Sequence, residues 1–80
     1  MNRDEVKAGL QRVFRDVFGD EKIVISDEMT AKDLKEWDSL NHINIIVGAE
    51  QRFGVKLTMR DVASLTNVGK FVDLIVSKLG

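Results

Sequence analysis

A short segment, residues 38–42, holds the side chains of this chain that could do chemistry. Asp38, Ser39 and His42 supply an acid, a hydroxyl and an imidazole, the groups of a nucleophilic triad. They lie too close together in sequence to form a triad unaided, and His42 falls in an apolar arc where we expect a partly buried histidine. Aspartate and serine often begin helices, so a structural role for Asp38 and Ser39 is the competing interpretation. We predict no catalytic residue.

The composition argues against disulfides, metal sites and nucleic-acid binding. The chain has no cysteine, which excludes disulfides and thiolate metal sites. The acid pairs Asp4–Glu5 and Asp27–Glu28 match no calcium-binding loop, and we expect them on a solvated face. A net charge of −1 offers no basic field for nucleic acid. We therefore predict neither a metal site nor a nucleic-acid partner.

The length is that of one small domain over residues 1–80. No apolar run approaches the ~18 residues of a membrane span. The N-terminus lacks a signal-like apolar block, and Asp4 and Glu5 argue against a transit peptide. We expect a cytoplasmic monomer. A start at Met1 and an end after the last helix favour a free-standing protein.

The first part of the chain predicts a long helix. Apolar residues recur at helical spacing from position 6 to position 18, with charged residues on the opposite face. Asn2 and Glu5 are spaced as a capping box, and Gly19 is placed to end the helix.

A second long helix is predicted over residues 39–53. Asp38 is its expected N-cap, and Gly54 follows its end. The apolar arc of this helix is wider than one packing surface requires. The helix is therefore either central in the fold or partly covered by a partner.

Two further helices complete an all-α fold. Residues 58–65 predict a short third helix with Thr58 and Asp61 as cap partners, and Asn67 caps a fourth that extends to position 79. We predict a four-helix bundle of three long helices and a short third one, with a long loop between helices one and two. The expected core is Val6, Leu10, Val13, Phe14, Val17, Ile45, Ile46, Ala49, Phe53, Leu65, Phe71, Val72, Ile75 and Leu79.

The loop over residues 20–38 is unusually long for so small a domain, and loops of this length tend to be functional or disordered. Its seven acids and three lysines give a net charge of −4. We expect residues 23–25 to pack onto the bundle rather than to form a strand, because the sequence predicts no second strand with which they could pair. Thr30 could cap a helical turn, and we expect Trp37 to pack against the protein.

Several motifs together resemble the acyl carrier protein family. "DSL" at residues 38–40 opens an apolar helix, "FGVKL" begins fourteen residues after Ser39, and "LTNV" precedes the last helix. DSL alone is a frequent tripeptide. The resemblance covers nearly the whole chain and includes the order and lengths of the helices, so it is much more specific than that tripeptide.

The resemblance implies a non-catalytic carrier. In this family the serine of DSL bears 4′-phosphopantetheine, transferred from coenzyme A, and the thiol of that group holds an acyl chain as a thioester. By match, Ser39 is the attachment site. The partners so implied are a phosphopantetheinyl transferase and acyl-activating, acyl-transfer or condensing enzymes. The residues implied for the motif and for partner recognition are Asp38, Leu40, Ile43, Val47 and Glu50.

One departure from the family pattern concerns charge. Carriers of bacterial fatty-acid synthesis usually have a strongly acidic second helix, whereas here Glu50 is the only acid in residues 39–53. We therefore predict a specialised carrier for a dedicated acyl, polyketide or lipid pathway. An aminoacyl or peptidyl carrier is one alternative. A small helical interaction domain without a prosthetic group is another.

Overall fold

The computed structural model describes residues 2–34, 37–63 and 65–79, and within them it shows helices joined by loops. In chain order these are α1 (Arg3–Phe18), α2 (Ser39–Phe53), α3 (Met59–Ala63) and α4 (Val68–Leu79). No residue in these described ranges is in a strand. The predicted all-α fold, with a short third helix and a long first loop, is confirmed.

Local hydrogen bonds set the ends of α1 and α2, as the sequence predicted. The Asn2 side chain accepts a hydrogen bond from the Glu5 backbone N–H (2.9 Å), and the Glu5 carboxylate accepts one from the Asn2 N–H (3.2 Å). Gly19 and Gly54 end α1 and α2 with φ of 65° and 67°. Glycine reaches this left-handed region without a Cβ clash, so both helices stop there.

The short helix α3 is capped and tied to α4 by one carboxylate. The Thr58 N–H donates to Asp61 (3.0 Å), and the Asp61 N–H donates back to the Thr58 hydroxyl (3.1 Å), as predicted. The same carboxylate lies 2.9 Å from the Lys78 ammonium on α4. Hydrogen bonding to Thr58 and then to Lys78 lowers the pKa of Asp61 to about 2. Asn67 caps α4 by accepting from the Lys70 N–H (2.8 Å).

The helix α1 is central, because it packs against both α2 and α4. One glycine on each of the two helices lets α1 and α2 approach closely. A Cβ atom on Gly9 would lie 2.8 Å from the Phe53 ring, and one on Gly48 would lie 2.8 Å from Val13. The face of α2 that contacts α1 is therefore determined by side-chain size as well as by hydrophobicity.

Among the described residues, eleven of the fourteen predicted core residues are buried, and four buried hydrophobic residues lie outside the predicted set. Val17 and Leu65 are only partly buried against it. Leu79 is 37% exposed, so its prediction as a core residue is wrong. Helical spacing identifies the face of α4 that packs, but it does not tell how far along the helix the neighbouring elements extend. Buried residues outside the predicted set are Ile23, Ile25, Trp37 and Val68.

Residues 23–25 of the long loop lie on α1 without forming a strand, as expected. Ile23 and Ile25 are buried, whereas Val24 between them is exposed. The Arg15 guanidinium donates to the Ile23 carbonyl (2.8 Å), and the Gln11 side chain accepts from the Ile25 N–H (3.0 Å). Side chains of α1 thus satisfy backbone groups that a strand partner would otherwise have satisfied.

Asp27 anchors the middle of the loop. Its carboxylate lies 2.8 Å from the Arg3 guanidinium and 3.1 Å from the Lys7 ammonium, both on α1. Lys7 and then Arg3 hold the pKa of Asp27 below its ordinary value. The Asp27 carbonyl also accepts from the Gly69 N–H in the first turn of α4 (2.9 Å). One residue therefore ties the loop to two helices.

The predicted helical turn after Thr30 is realised as a single hydrogen-bonded turn. The Asp33 N–H donates to the Thr30 carbonyl (3.0 Å), and the Asp33 carboxylate accepts from the Thr30 N–H (2.8 Å). Residues 30–34 form no helix. Lys35 and Glu36, which follow, lie outside the described residues.

The burial of Phe53 at the α1–α2 contact can be tested by truncation. Its side chain is 8% exposed, so Phe53→Ala should reduce the free energy of unfolding by about 3–5 kcal/mol. Met59→Ala is the control, because Met59 is a large apolar side chain that is almost fully exposed. Chemical denaturation measures both. Equal stabilities for the two variants would contradict the packing of α2.

Candidate functional site

Ser39 is the first residue of α2, and its side chain is exposed. The Asp38 carboxylate accepts a hydrogen bond from the Asn41 N–H (2.8 Å) and so makes the N-cap, as predicted. Within the described residues, the Ser39 hydroxyl has no hydrogen-bond partner. The cap is made by its neighbour, so Ser39 is left accessible for chemistry.

Trp37 fixes the end of the loop two residues before Ser39. Its indole is buried and packs edge-to-face on Phe14 of α1, with ring centroids 5.1 Å apart and planes at 86°. Its backbone N–H donates to the Leu34 carbonyl (3.1 Å). The expectation that Trp37 packs against the protein is confirmed, and this packing positions the start of α2.

His42 is paired with Trp37. The indole N–H donates to His42 Nδ1 (3.0 Å), and the two rings are nearly parallel, at 21°. An indole N–H can only donate, so Nδ1 must be unprotonated and the neutral ring carries its proton on Nε2. Burial lowers the pKa of His42. The imidazole is therefore neutral near pH 7, with one unengaged donor, Nε2–H, among the described residues.

These side chains do not form a nucleophilic triad. The Asp38 carboxylate is engaged with the Asn41 N–H, and His42 Nδ1 faces the Trp37 indole. They instead line a shallow cleft of about 430 Å³ together with Ser39. The residues around this cleft, which we call the Ser39 cleft, are Ala31, Trp37, Asp38, Ser39 and His42.

An apolar stripe runs along α2 below Ser39. Leu40, Ile43 and Val47 are 68%, 58% and 42% exposed, whereas Ile45 and Ile46 face the core. Ile43 therefore lies on the same exposed side of α2 as Leu40. These three residues follow helical spacing and form one surface, which we call the α2 stripe.

Glu50 has a structural contact that the sequence did not reveal. Its carboxylate accepts a hydrogen bond from the Leu57 N–H (2.9 Å), in the connection between α2 and α3. The partner lies seven residues away in an irregular segment, so no helical spacing could have identified it. A role of Glu50 in partner recognition stays a prediction.

The residues that the structure describes contain no group of three or more His, Asp or Glu side chains that could hold a metal ion. None of the helices in that part of the chain is long and apolar enough to cross a membrane.

Comparisons with known proteins give a consistent result. A family model described as "Phosphopantetheine attachment site" matches residues 8–75. An "Acyl carrier protein" of Acidothermus cellulolyticus is 30% identical over 77 residues, which cover 96% of this chain and 92% of the relative. A "Meromycolate extension acyl carrier protein" of Mycolicibacterium smegmatis is 34% identical over 70 residues, which cover 88% of this chain and 71% of the relative.

A solved structure supports the same relationship. The solution structure of a holo acyl carrier protein from Geobacter metallireducens superimposes with a TM-score of 0.87. The two chains are 39% identical, and the match covers 92% of this chain and 85% of the other.

The contact of Glu50 with Leu57 predicts a stability effect. Glu50→Ala removes the acceptor of the Leu57 N–H and should reduce the free energy of unfolding by about 1 kcal/mol. Glu50→Gln keeps an acceptor oxygen and removes the charge, so it should remain close to wild type. Denaturant titration of both variants tests this. If Glu50→Ala is as stable as wild type, the contact contributes nothing to the fold.

Proposed function

The chain belongs to the acyl carrier protein family, whose members have a phosphopantetheine attachment site, and on that premise we propose that Ser39 is the attachment residue. As a member of this family, the protein is a carrier and not a catalyst. It tethers acyl intermediates on a covalently bound 4′-phosphopantetheine. Members of the family act with phosphopantetheinyl transferases and acyl-transfer enzymes.

The exposed, unengaged hydroxyl of Ser39 is the observation that supports this assignment. Asp38 supplies the cap, so Ser39 can be esterified without loss of the hydrogen bond that begins α2. The N-terminus of α2 also carries free backbone N–H groups and the positive end of the helix dipole, which favour a phosphate. The residues present therefore fit the prosthetic group.

The chemistry of attachment follows from the hydroxyl. Ser39 Oγ would form a bond to the 4′-phosphate of coenzyme A and lose its proton to a base of the transferase, while the pyrophosphate bond breaks and adenosine 3′,5′-bisphosphate leaves. Once bound, the group supplies the thiol that this cysteine-free chain lacks, and that thiol holds acyl cargo as a thioester.

Substitution of Ser39 tests the attachment site. Ser39→Ala should fold as wild type but gain no mass when incubated with coenzyme A, Mg²⁺ and a promiscuous phosphopantetheinyl transferase. Ser26→Ala is the control, because Ser26 is another exposed serine and should leave modification intact. Intact-mass analysis measures both. Modification of Ser39→Ala, or a modified peptide that contains Ser26, Ser64 or Ser77, would contradict the assignment; Ser64 lies outside the described residues.

We propose further that the carrier serves a dedicated lipid pathway. Several mycobacterial relatives are named for meromycolate extension, and one of them is 34% identical to this chain. The charges of α2 support the same idea. Glu50 is the only acid of α2, and its carboxylate accepts a hydrogen bond from the Leu57 N–H, whereas Arg52 is exposed. A basic enzyme patch would therefore find almost no free acid on α2.

The α2 stripe is the surface that we propose for enzyme partners. Its three apolar residues are exposed next to Ser39, where an enzyme that acts on the tethered cargo has to approach. Charge complementarity would come from the acidic loop at Asp27, Glu28 and Asp33, and at Glu36, which lies outside the described residues. Of these, Asp27 is already paired with Arg3 and Lys7, which weakens its contribution. A monomeric, cytoplasmic carrier remains our expectation.

The neutral α2 predicts weak electrostatic steering by a fatty-acid ketosynthase. Loaded with the same acyl chain, this carrier should be elongated more slowly than a housekeeping carrier with an acidic second helix. Its rate should also depend less on salt, because salt screens long-range attraction. The comparison is made at low and moderate ionic strength.

A gain-of-charge variant provides the matched control. Asn44→Asp adds one exposed carboxylate to α2 with little change in size. It should raise the elongation rate at low salt and make that rate more sensitive to salt. Equal rates and equal salt dependence for this carrier and the housekeeping one would remove the main support for a specialised pathway.

A further inference from the structure

The Ser39 cleft joins the proposed attachment residue to an aromatic wall and an unengaged N–H donor. We propose that this cleft is a subsite for the phosphate-proximal part of the phosphopantetheine arm, with His42 Nε2–H as donor to the phosphodiester and the Trp37 indole as the apolar wall. This inference rests on the proposed attachment at Ser39. It assigns a binding role to two side chains outside the DSL motif.

The donor is placed by the helix. His42 follows Ser39 by three residues, so the two side chains lie on the same face of α2, and both line the cleft. The hydrogen bond from the Trp37 indole to Nδ1 leaves the ring proton on Nε2. Trp37 thus sets His42 as a donor before any phosphate is present.

The apolar wall is held in place by contacts within the protein, before the arm is attached. Trp37 is held on one side by Phe14 and on another by His42, and Ala31 completes the apolar part of the cleft. The phosphodiester of the arm is followed by a pantoyl segment with two geminal methyl groups, and such a group suits an indole face. A wall that is already ordered loses little side-chain entropy on contact.

The charges in the cleft give the proposal a measurable consequence. Among the described residues, Asp38 is the only titratable side chain besides His42 that lines the cleft, and its carboxylate is held by the Asn41 N–H. Without the arm, burial disfavours the imidazolium. A phosphodiester anion beside Nε2 favours the imidazolium, so attachment should raise the pKa of His42.

The chain contains one histidine and one tryptophan. The NMR signals of His42 and the fluorescence of Trp37 therefore report on the cleft without overlap from other residues of the same type. The apo and holo proteins are compared after intact mass has established attachment. We expect the NMR titration midpoint of His42 to move to higher pH in the holo form. We also expect the phosphodiester ³¹P resonance to titrate with the same midpoint, and Trp37 emission to shift between apo and holo.

His42→Asn is the matched variant. Its side-chain oxygen can still accept from the Trp37 indole, but it has no ionisable group and no Nε2–H. It should be modified at Ser39 as wild type, while the ³¹P resonance no longer titrates near neutral pH. A ³¹P titration that persists in this variant would overturn the role of His42.

The outcomes separate this inference from the proposed function. If the wild-type chain gains phosphopantetheine at Ser39 but the His42 midpoint and the Trp37 emission are the same in apo and holo forms, the subsite is wrong and the attachment stands. If no mass is gained, or if the mass maps to another serine, the attachment at Ser39 is wrong and the subsite falls with it.

Discussion

The packing of Trp37 against Phe14 is the contact on which the functional end of this fold depends. A connection of nineteen residues, 20–38, has to end at one defined point for α2 to begin at Asp38. Closing such a loop costs conformational entropy, which buried side chains and hydrogen bonds have to offset. Ile23, Asp27 and Trp37 fix its beginning, middle and end on the bundle. The loop is therefore part of the packed structure.

This arrangement separates stability from function at adjacent residues. Asp38 caps the helix, and Trp37 packs in the core, so the side chain of Ser39, the first residue of α2, is not needed to hold either of them. A carrier needs a residue that enzymes can reach and modify while the fold stays unchanged. With Ser39 as the proposed attachment residue, the chain meets that need because the two residues before the serine make the structural contacts.

The exposed face of α2 is apolar near Ser39 and poor in charge farther along. Leu40, Ile43 and Val47 remain exposed because α1 covers only the face that carries Ile45 and Ala49. Glu50, which the sequence suggested for recognition, has its carboxylate on the Leu57 N–H. Contacts made by this surface should therefore depend on shape and apolar area more than on long-range attraction.

The amino-acid sequence by itself determined the helices, their caps and the motif that indicates a carrier. These features depend on hydrogen bonds within three or four residues, such as those of Asn2 with Glu5 and Thr58 with Asp61, so short spacings reveal them. Only the tertiary structure decided which apolar residues of the loop are buried, that Leu79 is exposed, and that Trp37 holds His42 as a donor beside Ser39. These outcomes depend on where separate elements meet, and no local spacing encodes that meeting point.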